Sequence, residues 1–529
     1  MKTGKNNNPS RLDNIAKNMK FALLCQFLVM LVSFFSRRIF VDILGKEYLG
    51  LNSVFGDVLN LLSLAELGFA DAMLYSLYKP VATNDTEKVK SLMGLFRKVY
   101  VFVGIFILTA GSLISPVSPF FVTEMKTPVD NIWFIFLLNV INTGVSYFFI
   151  YRATLLFADQ KKYVEVIITT TVRTLAAGVQ IAVLMLYGDY ILYLAVSILA
   201  TLALNVWITL QTNRMYPYLR EKKVAPLLKE DVLVIRRNVF AMLLHKVGGV
   251  IIFFTDTIIM AKFVNVAAVG IYSNYMVIRM GLLGVIHPLF NSITGTMGNL
   301  NATETEERKR AAFENVMFFS AWLFGCICVT LAVLFNPFIV LWMDSETMAF
   351  GNMIVLLIVV NLYLYCMRLP VGSARNTMGL FHIDKYKVIP ESVLNLALSV
   401  WWAKLWGIPG VLWGTIASTL LVPFWVEPWV VYRWGFKKSC LGFFVRYTAY
   451  FLVTALAYLA CSYLCRFTHG GVLGLFEKLL VCIAACNLIY FLAYNRLREF
   501  RYLLETVRDQ AGKLPGLRGR KNDNVSEEK

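Results

Sequence analysis

Arg37, Arg38, Glu66, Arg173, His245, Lys246, Asp256, Arg279 and Arg368 are ionisable side chains set inside long apolar stretches. A charge at mid-bilayer costs about 2.5 to 3.5 kcal/mol on insertion scales, so such a residue faces a cavity, a partner or the interface. The set is cationic on balance. Arg173 and Arg279, near the middles of their stretches, carry the planar fork that holds phosphate through two hydrogen bonds at once. The structural alternative for both is a pair with Glu66 or Asp256. Arg37, Arg38 and Arg368 lie nearer the ends of theirs, where a long side chain can snorkel to water; like Lys246, they read either as further anion contacts or as interfacial residues. Glu66 and Asp256 are the candidates to carry a coupling proton or sodium ion, or else to pair with an arginine. His245, beside Lys246, reads either as a further ion-coupling group or as a packed, hydrogen-bonded histidine.

The elements that hold these charges are hydrophobic helices. The chain has 529 residues, 58% hydrophobic and 16% charged, with a mean hydropathy of +0.62, against roughly a quarter charged in a soluble domain. Continuous apolar runs of about twenty residues recur from end to end, each long enough to cross a hydrocarbon core about 30 Å thick. Barrel strands would alternate and would be only about ten residues long, which excludes a membrane β-barrel. The fold class is an all-α polytopic membrane protein. The net charge of +18 sits in short loops between spans, so it reports topology and not nucleic acid. Nine cysteines, such as Cys461 and Cys465 or Cys482 and Cys486, lie mostly within the apolar runs without ligand spacing, as packing residues do. No metal, no cofactor and no catalytic residue is expected. The first run is too long for a cleaved leader and reads as the first span.

About fourteen spans are expected, at 21–44, 52–78, 99–121, 131–156, 164–186, 190–212, 239–263, 268–297, 312–342, 351–373, 388–405, 409–432, 443–465 and 473–495. They fall into two related halves. Laid over residues 237–275 without a gap, residues 17–55 put Lys17-Asn18 on Arg237-Asn238, Leu49-Gly50 on Val269-Gly270 and Phe55 on Tyr275. Further echoes follow in order: Ser118-Pro119-Phe120 with Asn336-Pro337-Phe338, Arg152 and Lys162-Tyr163 with Arg375 and Lys385-Tyr386, and Gly188 with Gly407. Because six is even, corresponding spans run the same way, which implies a parallel repeat about an axis along the membrane normal. The organisation expected is an amino-terminal segment 1–20, a six-helix half 21–212, a linker 213–238, a second six-helix half 239–432, two further helices within 433–496 and a basic tail 497–529.

A cytoplasmic amino terminus places about 38 of the 51 Lys and Arg on the inner side, as the positive-inside rule requires, with both termini cytoplasmic. The outer connections, such as Lys46 to Leu51, are then too short to hold an extracellular catalytic domain. The linker carries Arg214, Arg220, Lys222, Lys223, Lys229, Arg236 and Arg237; it reads as an amphipathic segment on the anionic leaflet or as a plain topogenic loop. Past Arg496 a short basic helix and a disordered tail are expected. Nothing resembles a phosphate-binding glycine-rich loop, because GKEYLG lacks the closing Lys-Ser/Thr.

The first hundred residues, with SRRIFVDILGKEYLGLNSVF, LSLAELGFADAMLYSLYKPVATND and LMGLFRKVY, resemble the amino-terminal pattern of capsule, O-antigen and teichuronic-type repeat-unit flippases. These are polysaccharide-export proteins of the MATE-like multidrug/oligosaccharidyl-lipid/polysaccharide exporter superfamily, and the likeness in architecture covers all the spans. What the resemblance implies is no enzyme, but a carrier in the bacterial cytoplasmic membrane. It would move an undecaprenyl-diphosphate-linked glycan from the inner to the outer leaflet by rocking two halves about a cationic cavity. Arg37, Arg38, Arg173, Lys246, Arg279 and Arg368 are the residues expected at the diphosphate and sugars. The implied partners are that lipid-linked glycan, membrane lipids and a polysaccharide polymerase or ligase. A lipid II flippase suits the same cationic cavity, whereas a cation-coupled multidrug antiporter of this fold calls for an acidic one.

Overall fold

The computed structural model describes residues 11–66, 69–122, 131–221, 225–227, 230–233, 235–236, 239 and 254–513. The chain is an all-α polytopic membrane protein, and no strand occurs among the described residues. Its helices are α1 (Arg11–Leu62), α2 (Phe69–Ala82), α3 (Thr86–Ile114), α4 (Ile132–Ala158), α5 (Lys162–Tyr187) and α6 (Tyr190–Met215). After α7, described from 254 to 263, come α8 (Val266–Thr303), α9 (Glu306–Met343), α10 (Asn352–Thr377), α11 (Val388–Trp406), α12 (Ile408–Leu421) and α13 (Pro423–Val430). The last are α14 (Leu441–Leu464), α15 (Gly471–Tyr494) and α16 (Arg498–Lys513). Ten helical stretches among the described residues are long and apolar enough to cross a membrane.

Local chemistry sets the element ends. Asp85 caps α3 by accepting the Lys88 N–H at 3.0 Å, and Asp189 caps α6 by accepting the Ile191 N–H at 2.6 Å, each satisfying an amide that the first helical turn leaves free. Gly188 and Gly407, matched in the sequence repeat, end α5 and α11 with φ of 62° and 63°. Only glycine enters that left-handed region without strain.

One expectation changes. The connection from Lys46 to Leu51 is helical, because the reversal between the first two spans is confined to Gly45, at φ 86° and ψ 172°. That conformation is essentially restricted to glycine. The second span also departs from one straight helix: it leaves α1 at Leu62, passes a tight turn at Ser63–Glu66 and resumes as α2.

Packing divides the chain into two compact units. The first comprises residues 1–281, 342–350 and 388–418, the second 282–341, 351–387 and 419–529. Within the first, α3 packs on α4, α1 on α5, and α6 on both α4 and α5, around buried Met73, Leu77, Phe96, Tyr100 and Leu155. The described parts of the linker dock on the start of α3 through Lys88–Asp231 (2.9 Å) and Lys90–Glu221 (2.7 Å). In the second unit α14 packs on α15, and Phe500 of α16 stacks on Trp322 of α9 at 5.4 Å. The tail beyond Lys513 lies outside the described residues.

One of the tight backbone approaches in the first unit joins the two matched glycines. A Cβ on Gly50 would stand 2.0 Å from the Val266 carbonyl oxygen, and one on Gly270 would stand 2.0 Å from the Lys46 carbonyl oxygen and 3.1 Å from the Gly50 nitrogen. Each glycine meets the backbone four residues before the other. Small residues allow membrane helices to approach this closely. Gly50→Ala or Gly270→Ala is therefore expected to cost about 1 to 3 kcal/mol through overpacking, read as a lower thermal unfolding midpoint of the purified protein. Gly178→Ala, into open space on α5, is the control and should not lower it; equal losses in all three would remove the special role of the seam.

Candidate functional site

Arg37 sits on α1 two turns before the Gly45 break. Its Nε donates to Asn274 Oδ1 at 2.7 Å, and a terminal nitrogen donates to Ser273 Oγ. Both partners are buried residues of α8, so the guanidinium is held in place and not left to snorkel. It forms the common wall of two hollows, both within the first unit. One, of about 260 Å³, lies along α1, α5 and α6 and is lined by Arg37, Asn52, Arg173, Thr174, Gln180 and Tyr193 among others. The other, of about 460 Å³, lies along α1 and α8, with Asp57, Thr257, Tyr272, Met276 and Met280 in its wall beside Arg37.

Two expected anion contacts, Arg37 and Arg173, are thus brought to one hollow. Arg173 is exposed, while Gln180, two turns further along α5, donates to Ser197 Oγ at 2.7 Å and ties α5 to α6. The remaining charges are placed elsewhere. Arg38 faces away, pairing with Asp344 at 3.0 Å and with Asp42 at 3.7 Å. Arg279 contacts Met276 Sδ, one turn earlier on α8, at 3.7 Å. Glu66 accepts a hydrogen bond from the Tyr100 hydroxyl at 3.1 Å, among the aromatic residues between α3 and α4. His245 and Lys246 lie outside the described residues.

Asp256 is buried on α7. Its Oδ2 accepts from Thr415 Oγ1 at 2.8 Å, and Thr415 in turn accepts from Asn395 Nδ2 at 3.0 Å. Asp256 Oδ1 and Asn395 Oδ1 have no hydrogen-bond partner among the described residues. Two acceptor oxygens beside one hydroxyl suit a proton or a small cation.

Arg368 belongs to a charge cluster of the second unit. It donates to Glu427 at 2.8 and 3.2 Å. Lys387 pairs with both Glu427 and Asp384, and Arg375 pairs with Asp384 at 2.8 Å. Both carboxylates are buried. Arg368 therefore braces α10 against α13.

Sequence reasoning missed Asp57, Asp384 and Glu427, which lie in apolar or mixed stretches where a single acid gives no pattern. It also missed Gln180 and Tyr193, because uncharged polar residues in a span are ordinary. Among the described residues no group of His, Cys, Asp and Glu is arranged to hold a metal ion.

No family model matches the sequence, and no curated protein matches it either. Solved structures do. A multidrug resistance MATE family transporter of the MOP superfamily, in its inward-facing conformation, superposes with a TM-score of 0.61 at 12% identity, covering 78% of this chain and 97% of that one. The lipid II flippase MurJ in an inward closed conformation gives 0.64 at 13% identity, over 90% of this chain and 99% of the other. A MATE transporter of Vibrio cholerae gives 0.54 at 14%, covering 81% and 98%. This chain has the MATE and MurJ fold. Nearly the whole length of each of these proteins is matched, while the low identities carry no residue across.

The cluster around Glu427 supplies a test of which charges are structural. Glu427→Ala leaves Arg368 and Lys387 short of a buried partner and should cost about 3 to 5 kcal/mol. Arg38→Ala removes a half-exposed pair and should cost no more than about 1 kcal/mol. Thermal unfolding of the two purified variants side by side checks this, and a Glu427 variant as stable as the Arg38 variant would refute the bracing role.

Proposed function

We propose that the protein is a flippase that carries an undecaprenyl-diphosphate-linked oligosaccharide, a repeat unit of a cell-surface polysaccharide, from the inner to the outer leaflet of the bacterial cytoplasmic membrane. The observation that carries the reading is Arg37, fixed between two hollows with Arg173 on the wall of one of them. An anionic headgroup that leaves water needs cationic donors set in place beforehand, and two guanidinium forks supply them. The MATE and MurJ fold supports a carrier, and the basic loops support cytoplasmic termini. The two sequence halves are taken as the moving bodies, with Asp256 as the ion-coupling residue and a polymerase or ligase consuming the product.

The test is leaflet-resolved. In cells lacking the gene, lipid-linked oligosaccharide is expected to accumulate on the inner face. Wild-type protein should relieve this, and Arg37→Ala or Arg173→Ala should not. Unaltered lipid-linked sugars, with changed sensitivity to cationic drugs, would replace this reading by a drug exporter.

A lipid II flippase is the second reading, favoured by the MurJ superposition over 90% of this chain. Relief of lipid II flippase depletion by this gene would select it. For coupling, Asp256→Asn is expected to leave a folded protein whose transport no longer responds when the sodium or proton gradient is collapsed. Wild-type sensitivity in that variant would move coupling elsewhere.

A further inference from the structure

We infer that the smaller hollow, along α1, α5 and α6, reads the first sugar of the substrate, the one joined to the diphosphate. This rests on the flippase reading and adds to it the place where the glycan is recognised.

The wall chemistry supports a sugar more than a bare anion. Beyond Arg37 and Arg173 it offers the amides of Asn52 and Gln180 and the ring of Tyr193. Amides pair with hydroxyls both as donors and as acceptors, and an aromatic ring gives an apolar face for the ring carbons of a sugar. The volume of about 260 Å³ falls just below the roughly 300 to 1,000 Å³ of sites for drug-sized ligands, a size for a monosaccharide.

Two hydroxyls in the same wall make the case sharper. Ser36 Oγ and Thr174 Oγ1 are buried, and neither has a hydrogen-bond partner among the described residues. A hydroxyl left unpaired in a protein interior lowers stability, and a helical Thr or Ser ordinarily bonds back to its own helix. Both oxygens move by rotation about a single bond, χ1, so either can turn toward a sugar hydroxyl that enters the hollow. The neighbouring hollow differs: it is wider, at about 460 Å³, and it carries a carboxylate, Asp57, together with Met30, Met276 and Met280.

The experiment compares ligands that differ only in the sugar. Wild type, Thr174→Val, Ser36→Ala, Arg173→Ala and Asp57→Asn are purified into lipid nanodiscs. Each is titrated with undecaprenyl diphosphate and with the same lipid carrying one hexose or one N-acetylhexosamine. Wild type should bind at least one glycosylated lipid more tightly than the bare diphosphate. Thr174→Val and Ser36→Ala should each weaken that glycosylated lipid by about three- to tenfold, the worth of one neutral hydrogen bond, and leave the bare diphosphate unchanged. Arg173→Ala should weaken both ligands.

Thr174→Val also separates ligand binding from folding. Because its hydroxyl has no hydrogen-bond partner among the described residues, its removal should leave the unfolding midpoint level or raise it. Three outcomes overturn the inference: no gain from either sugar in wild type, equal losses for bare and glycosylated lipid in Thr174→Val, or a sugar-dependent loss in Asp57→Asn alone, which would seat the glycan in the neighbouring hollow. Failure of the flippase reading looks different, since wild type would then bind none of these lipids.

Discussion

The contact on which the rest depends is the crossing of α1 and α8 at Gly50 and Gly270. Lipid tails are as apolar as the side chains they touch, so membrane helices associate through close packing and hydrogen bonds and not through hydrophobic exclusion. Two glycines, each against the carbonyl four residues before the other, bring the two backbones into direct contact. The reciprocity is what a two-fold arrangement of the repeated stretches produces. Leu49 lines one hollow and its sequence counterpart Val269 the other, so a neighbour of each glycine forms part of a wall.

Charges within the helices separate into two populations by the company they keep. Arg368, Arg375 and Lys387 surround Asp384 and Glu427 so closely that the group acts as a single brace. Burying one of those carboxylates alone would be prohibitive, and the cations make it tolerable. Arg37 is handled differently, because its donors go to neutral acceptors, Asn274 and Ser273. Neutral partners hold a guanidinium in place without cancelling its charge. A residue meant to meet an anion needs that arrangement, whereas one meant to hold two helices together needs a carboxylate.

The fold was largely legible because hydropathy and repeat spacing are properties of whole segments. The matches Gly188 with Gly407 and Gly50 with Gly270 became a shared helix ending and a shared contact. The hydropathy pattern puts the first turn a few residues past Gly45, since Lys46 to Leu51 reads as polar enough for a loop and only its backbone shows it to be helical. The site was legible in part. Charge in an apolar run singles out Arg37 and Arg173, but nothing in one helix tells which other helix it will face. That is why Arg38, one residue from Arg37, points to Asp344 instead, and why Arg368, whose run alone has the pattern of a ligand contact, pairs with Glu427. Glu427 itself lies between Pro423 and Pro428 in a tryptophan-rich stretch that gives no sign of a buried acid.

The same geometry links binding to the seam. Ser273 and Asn274 occupy the helical turn that follows Gly270, so the groups that fix Arg37 stand one turn from the closest backbone contact between α1 and α8. A guanidinium has five donors in a rigid plane, and those spent on Asn274 and Ser273 are not available to a ligand without tilting that plane. The other three stay in a plane whose orientation the α8 turn fixes, so the packing of α1 on α8 and the readiness of Arg37 for an anion depend on the same turn.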